Sequence, residues 1–195
     1  IDNFHFLTML DNIFDTGLET ERLILRKLRI ADDIDMFEYT SNNQITKYLE
    51  WEPHTSISQT QDFIGSALNA YNQINNAFLW GIEEKKDKKL IGVVRVFDFS
   101  KKNSRAEISY ILNPFYQGKG YMVESIKTVL KFCFHELKIN RIQAKCTSDN
   151  IASEWIMKKT GMKNEGLLKE FFRINGEKKD ALIYSILVSE FAIKE

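Results

Sequence analysis

"NPFYQGKGYMVESIKTVLKFCFHEL", Asn113 to Leu137, decides how the rest of the chain is read. Two glycines, Gly118 and Gly120, stand between a hydrophobic run, "AEISYIL", and a run of helix formers. In that second run Met122, Ile126, Leu130, Cys133 and Leu137 recur at three- and four-residue steps. The pattern predicts a strand, a tight turn and a helix. Such a turn aims successive backbone N–H groups and the positive end of the helix dipole at one place, which suits a phosphate or pyrophosphate. Glycine lets the backbone approach without a Cβ in the way, and Lys119 either adds a positive charge or points into water. The spacing is not GxxxxGK[ST], and a dinucleotide GxGxxG would need glycine where Val123 stands. On these residues alone, a phosphate nest and a plain strand-to-helix connection are both open.

Working outward, "RAEISYIL" sets Ala106, Ile108, Tyr110 and Leu112 against Glu107, Ser109 and Ile111, the alternation of a strand. Before it, "AFLWGIEE" and "KLIGVVRVFDF" flank the charged tip "KKDK" and predict a hairpin. Further upstream, "TERLILRKL" reads as one strand with Leu23, Leu25 and Lys27 on one face. "IADDIDMFEYTSN" reads as a helix opened by acids and carrying Ile34, Phe37 and Tyr39 at helical spacing. "WEPHTS" is a loop, and "SISQTQDFIGSALNAYNQI" an amphipathic helix with Ser58 as its N-cap. Downstream, "RIQAKCT" is a strand and "DNIASEWIMKKTG" a helix capped by Asp149 or Asn150 and stopped by Gly161. "GLLKEFFRINGEKKDALIYSILVSEF" closes as a hairpin about Asn175-Gly176. The order β-α-α, β-meander, βαβα and hairpin predicts an α/β (α+β) fold. Its mixed, mostly antiparallel sheet would have about six or seven strands, with helices on both faces. Residues 1–17 read as an apolar arm or short helix, and 18–195 as a single domain.

Composition excludes more than it suggests. Lys+Arg and Asp+Glu are both 27 in 195 residues, so net charge favours neither nucleic acid nor an anionic membrane, and no direct nucleic-acid binding is expected. No apolar run is long enough to span a membrane, and the opening lacks a cleavage-site pattern, which predicts a cytoplasmic protein. Cys133 and Cys146 are far apart and read as buried small hydrophobes. His5, His54 and His135 are isolated, and no metal site is expected.

"AEISYILNPFYQGKGYMVESI" followed by "NRIQAKCTSDNIASEWIMKKTGM" resembles the GNAT N-acetyltransferase superfamily. Its signature Q/R-x-x-G-x-G/A is met by Gln117 and Gly120, while Met122 departs from the third position. "LETERLILRKLRIADDIDMFEYTSN" and the closing hairpin resemble the RimJ/RimL-type branch, the ribosomal-protein N-acetyltransferases and their relatives. The likeness runs from about Leu18 to Phe191. It implies acetyl-CoA as co-substrate. The loop Gln117, Gly118, Lys119, Gly120, Tyr121 and Met122 would lie on the pyrophosphate, and the backbone of Tyr110, Ile111 or Leu112 on the pantetheine arm and the developing oxyanion.

The implied reaction is direct attack of a primary amine, of a protein N-terminus or a small molecule, on the thioester. In the resemblance Glu107 matches the acidic residue acting as base, directly or through water; the alternative is an exposed carboxylate on the solvent side of the strand. The tyrosine that many relatives use as acid is replaced by Met157, and the resemblance moves the role to Ser153, with Asn150 contacting CoA; N-cap and helix-surface roles are the alternatives. Trp51, Glu52 and His54 stand where relatives build the acceptor groove. A non-catalytic acyl-CoA-binding module, and a nucleotide-binding regulatory domain, are the competing readings. The apolar arm is compatible with a homodimer.

Overall fold

A computed structural model describes residues 17–72 and 77–191. Apart from Gly17, the expected N-terminal arm lies outside the described residues. The chain opens with β1 (Leu18–Glu19) and β2 (Leu23–Arg26), paired antiparallel. "TERLILRKL" thus holds one strand, shorter than expected. The Thr20 hydroxyl accepts the Leu23 N–H at 2.9 Å, and the Thr20 N–H donates to the Leu23 carbonyl at 3.0 Å, so a tight turn separates it from β1. Lys27 follows β2 rather than belonging to it.

A single 3₁₀ turn leads into α1 (Asp33–Thr40), followed by the short α2 (Asn43–Thr46) and by α3 (Ile57–Asn72). α1 buries Met36, Tyr39 and Thr40, spaced by three and four residues, and leaves Ile34 70% exposed. Of the expected stripe of Ile34, Phe37 and Tyr39, Tyr39 is buried, Phe37 half-buried and Ile34 exposed, so the buried face is turned toward Met36. The helix turns to meet Leu28, Leu90 and Val93, with which Met36, Tyr39 and Ile64 of α3 form one core cluster. α3 also begins earlier than expected. Ser56, not Ser58, offers its hydroxyl to the Gln59 N–H at 3.4 Å.

The hairpin and the third strand follow as read: β3 (Ala77–Glu84), β4 (Lys89–Ser100) and β5 (Arg105–Leu112) form an antiparallel meander. Then come α4 (Tyr121–His135), β6 (Arg141–Thr147), α5 (Ile151–Lys159), β7 (Lys163–Ile174) and β8 (Glu177–Leu187). Leu137 falls two residues past the end of α4. Asn175 and Gly176 join β7 to β8 with φ of 50° and 80°, the left-handed pair that a two-residue hairpin turn requires.

Among the described residues the sheet has eight strands in the order β1-β2-β3-β4-β5-β6-β8-β7, one more than the upper expectation because β1 is a separate edge strand. Of the pairings among these strands, β5–β6 alone is parallel. Helices cover both faces: Trp80, Val94, Val96 and Ile108 pack with α4 on one, while Val93 joins the α1 and α3 cluster on the other. Fully burying side chains of this size stabilises by roughly 1.5–3 kcal/mol each. This packing holds one irregularity in place. β5 pairs with β4 as far as Leu112, and β6 pairs with β8 as far as Thr147, yet β5 and β6 pair only through Arg105–Glu107 and Arg141–Gln143. Beyond Glu107 the two central strands part.

Candidate active site

The gap between β5 and β6 opens toward the glycine loop. Gly118 and Gly120 hold φ of 74° and 82°, left-handed values that a side chain would strain. Around a Cβ built on Gly118 nothing lies within 4 Å, so that side of the loop is open space. Gly120 is the N-cap of α4 and supplies no capping side chain, which leaves the first N–H groups of the helix unclaimed by one. Gln117 anchors the loop to the strand it follows, its Nε2 donating to the Leu112 carbonyl at 3.2 Å. Lys119 Nζ rests over the Tyr116 ring at 5.0 Å. Met122 is buried in the core and presents only its backbone to the loop.

Tyr110, Ile111 and Leu112 lie past the last β5–β6 rung. A strand directs alternate backbone groups to opposite sides, so this stretch turns N–H and C=O groups toward the gap. Two buried polar atoms belong to residues at the ends of the parting strands: Asn113 Nδ2 and Thr147 Oγ1, neither of which has a hydrogen-bond partner among the described residues.

Side chains bracket the gap from both faces of the sheet. On the face shared with α4 and α5, the Tyr110 hydroxyl lies 2.9 Å from Ser153 Oγ and 3.1 Å from the Ser153 carbonyl oxygen. Burial raises the Tyr110 phenol far above its ordinary value, so it stays protonated. Asn150 caps α5, its side chain accepting the Ser153 N–H at 3.1 Å, so one residue both starts the helix and orients the serine. The Cys146 thiol adjoins the Ser153 hydroxyl and is pushed up to about 11 by burial. Met157 is fully buried in the core.

On the opposite face, Glu107 is 7% exposed and not the solvated carboxylate that alternation allowed. Lys145 Nζ lies 2.8 Å from Glu107 Oε2, and Gln143 Nε2 donates to the same oxygen at 3.0 Å. Lys145 also sits 4.6 Å over the Phe171 ring. The Trp51–His54 loop is anchored elsewhere. His54 Nδ1 bonds Thr60 Oγ1 at 2.8 Å, its ring stands between Trp51 and Phe63, and its N–H donates to the Thr40 carbonyl. Burial holds the His54 imidazole below its ordinary value. Sequence reading brought Glu107, Tyr110, Asn150 and Ser153 to this place. It missed the hydroxyl of Tyr110 and the ammonium of Lys145, although alternation within "AEISYIL" and "RIQAKCT" puts them on the two relevant faces.

Comparison with known proteins fits this architecture. Residues 22–163 match the model of the "Acetyltransferase (GNAT) domain". The chain is 35% identical over 170 residues to the uncharacterized N-acetyltransferase YoaA of Bacillus subtilis, covering 87% of this chain and 96% of that one. It is 25% identical to the [ribosomal protein uS5]-alanine N-acetyltransferase of Escherichia coli, covering 92% and 95%. It superposes with a TM-score of 0.75 and 27% identity on spermidine N-acetyltransferase from Vibrio cholerae, solved in complex with CoA and spermine, covering 88% and 99%. The chain belongs to the GNAT family of acetyltransferases. Within that family it is an N-acetyltransferase, as its relatives of 30% identity and above are named.

Proposed function

We propose that residues 18–195 act as one domain that transfers an acetyl group from acetyl-CoA to a primary amine, by direct attack within a ternary complex. The observation that carries this reading is the gap between β5 and β6 beside a left-handed glycine loop. The open space at Gly118 and the unpartnered Asn113 and Thr147 atoms fit a long polar ligand lying there. Acetyl-CoA, when bound, supplies a thioester carbonyl open to a nucleophile. The backbone of Gln117–Met122 would hold its pyrophosphate. The Tyr110–Leu112 backbone would pair with its pantetheine arm like an added strand and offer one N–H to the developing oxyanion.

Glu107 takes the proton from the attacking amine. Its Oε2 is held by Lys145 and Gln143, which leaves Oε1 for the transfer. A terminal α-amine, with a pKa of about 7.7–8.0, is already partly neutral at pH 7 and needs modest help, whereas a lysine near 10.4 needs more. Ser153 gives its proton to the departing thiolate and regains one through the Tyr110 hydroxyl or solvent. Base and acid thus act from opposite faces of β5, with the reacting carbon between them. The acceptor is a protein N-terminal α-amine or a small amine, the two classes on which the Escherichia coli and Vibrio cholerae relatives are named as acting.

A thiol-release assay with acetyl-CoA over peptides of varied first residue and a panel of small amines tests the reading. Amine-dependent release of free CoA supports it. Tight CoA binding without release by any amine overturns it. The Glu107→Gln variant should be slower at pH 7 by roughly 10²-fold, with partial recovery at high pH. An unchanged rate at every pH would remove Glu107 from the mechanism. Ser153→Ala and Tyr110→Phe should each lower kcat with little change in KM; full turnover in both would assign protonation of the thiolate to solvent.

A further inference from the structure

We propose that Arg22, on the turn between β1 and β2, is the positioning residue that fixes the orientation of the glycine loop toward the donor pyrophosphate. The inference rests on the donor-site reading above. Arg22 reaches Lys119 of the loop and Tyr121 at the start of α4, and adjoins the Gly120 between them, from about a hundred positions away in sequence. Its Nη1 donates to the Lys119 carbonyl at 3.0 Å, its guanidinium lies 4.4 Å over the Tyr121 ring, and a Cβ on Gly120 would stand 3.5 Å from its Nη2. Its Nε and Nη2 both reach Glu124 Oε2, at 2.8 and 2.5 Å. Thr20 completes the clamp, its hydroxyl donating to Glu124 Oε1 at 2.5 Å. The turn that carries Arg22 is itself pinned, since the Lys85 N–H donates to the Arg22 carbonyl and Lys85 Nζ to the Thr20 carbonyl.

Two physical consequences follow. A trans peptide points its C=O and its N–H in opposite directions. With the Lys119 carbonyl taken by Arg22, the Gly120 N–H must point away from Arg22, across the loop. Glycine at 118 and 120 tolerates either orientation of the intervening peptides, so the loop's own residues do not choose between them. A flipped Lys119–Gly120 peptide would present an oxygen to the phosphate in place of a donor. The second consequence concerns charge. Glu124 occupies the first turn of α4, the end at which an anion would otherwise meet an uncompensated carboxylate. Arg22 offsets it. The arginine side chain is 40% exposed, so packing alone gives no reason for its place.

The test compares donors with and without the pyrophosphate. For Arg22→Gln, the Kd for CoA and the KM for acetyl-CoA should rise about tenfold, the loss of roughly one charge-assisted hydrogen bond, with kcat within twofold of wild type. Acetyl-pantetheine, which has the same arm and no pyrophosphate, should be used as by wild type. Arg22→Lys should recover part of the loss, because an ammonium can serve the carbonyl or Glu124 but not both in the same geometry. Glu124→Gln breaks the same ion pair and keeps the carbonyl contact, so its CoA affinity should stay within twofold or tighten. A merely structural ion pair predicts equal losses in Arg22→Gln and Glu124→Gln and equal losses for both donors. Either result would overturn the proposal, as would unchanged CoA affinity in Arg22→Gln. If Arg22→Gln does not fold, a tenfold loss of CoA affinity in Glu124→Gln overturns it alone. Wild-type protein that binds neither donor removes the donor-site reading itself, and this inference with it.

Discussion

At Gly92, opposite Leu112, an added Cβ would lie 2.4 Å from the Ile111 carbonyl oxygen, a contact with backbone that no rotamer relieves. Gly92→Ala should therefore cost about 3 kcal/mol and lower Tm by roughly 10 °C in a thermal melt. Gly120→Ala has room for its methyl group but must hold φ near 82°, which costs about 1–2 kcal/mol; its larger effect should fall on donor affinity. The two cysteines give a further prediction. Cys133 is fully buried and burial raises its thiol, while Cys146 is pushed up to about 11, so neither should react with a thiol reagent at pH 8 until the protein is unfolded in urea. How far the sequence could be read at this scale depended on range. The glycines at 118 and 120 were legible because a strand, a turn and a helix adjoin within a dozen residues. Gly92 was not, because the carbonyl it would strike belongs to a neighbouring strand. Nor were Arg22 or the pairing of Glu107 with Lys145, whose partners lie far away in the chain and meet only once the sheet forms.

Among the elements, β2, the turn after it and β3 are joined by a nearly buried ionic network. Arg26 donates to both Asp32 oxygens at 2.8 and 2.9 Å and to Glu83 Oε2 at 2.5 Å, with all three side chains no more than 10% exposed. Removing the arginine leaves Asp32 without its counter-charge in a dry place, and leaves Glu83 with the longer, exposed pair to Arg29 at 3.4 Å. Arg26→Met should lose about 3–5 kcal/mol in urea unfolding, more than any single surface pair of this protein. Element identities were legible from periodicity, but element faces were less so. In α1 the sequence offered Ile34, Phe37 and Tyr39 as inward residues, and the helix buries Tyr39 together with Met36 and Thr40 while leaving Ile34 exposed. With acids at both ends of its first turn and an apolar residue on nearly every side, several stripes are possible, and the sheet surface selects one. The start of the opening strand was placed too early for a related reason. The Thr20 hydroxyl that turns the chain just before Leu23 is silent in a hydrophobic pattern.

For the molecule as a whole, acid stability should be set by carboxylates of its C-terminal half. Arg141 on β6 and Ser185 on β8 hold Glu165 of β7 down from 4.5 to about 2, and Lys158 and Lys163 hold Glu154 and Glu190 below their ordinary values. A depressed folded-state pKa contributes stability that is full above the unfolded value and is lost as pH falls through the folded one. Unfolding free energy should thus decline between about pH 4.5 and pH 2, and Glu165→Gln should flatten part of that decline in acid titrations followed by circular dichroism. The short parallel contact has a consequence for how the chain assembles. Strands β1 to β5 are wired by turns between sequence neighbours, apart from the β2–β3 step that encloses α1 to α3, and β6 to β8 form a second set built around a hairpin. Only three rungs, reached by way of α4, join the two sets. Hairpins close in microseconds, whereas contacts across long loops must first meet the entropy of closure. The meander and the terminal hairpin should therefore form early, and the docking of one half on the other, beneath α4, late and slowly, an order that pulsed hydrogen exchange during refolding checks. On that order the cleft between β5 and β6 would come into being at the last step.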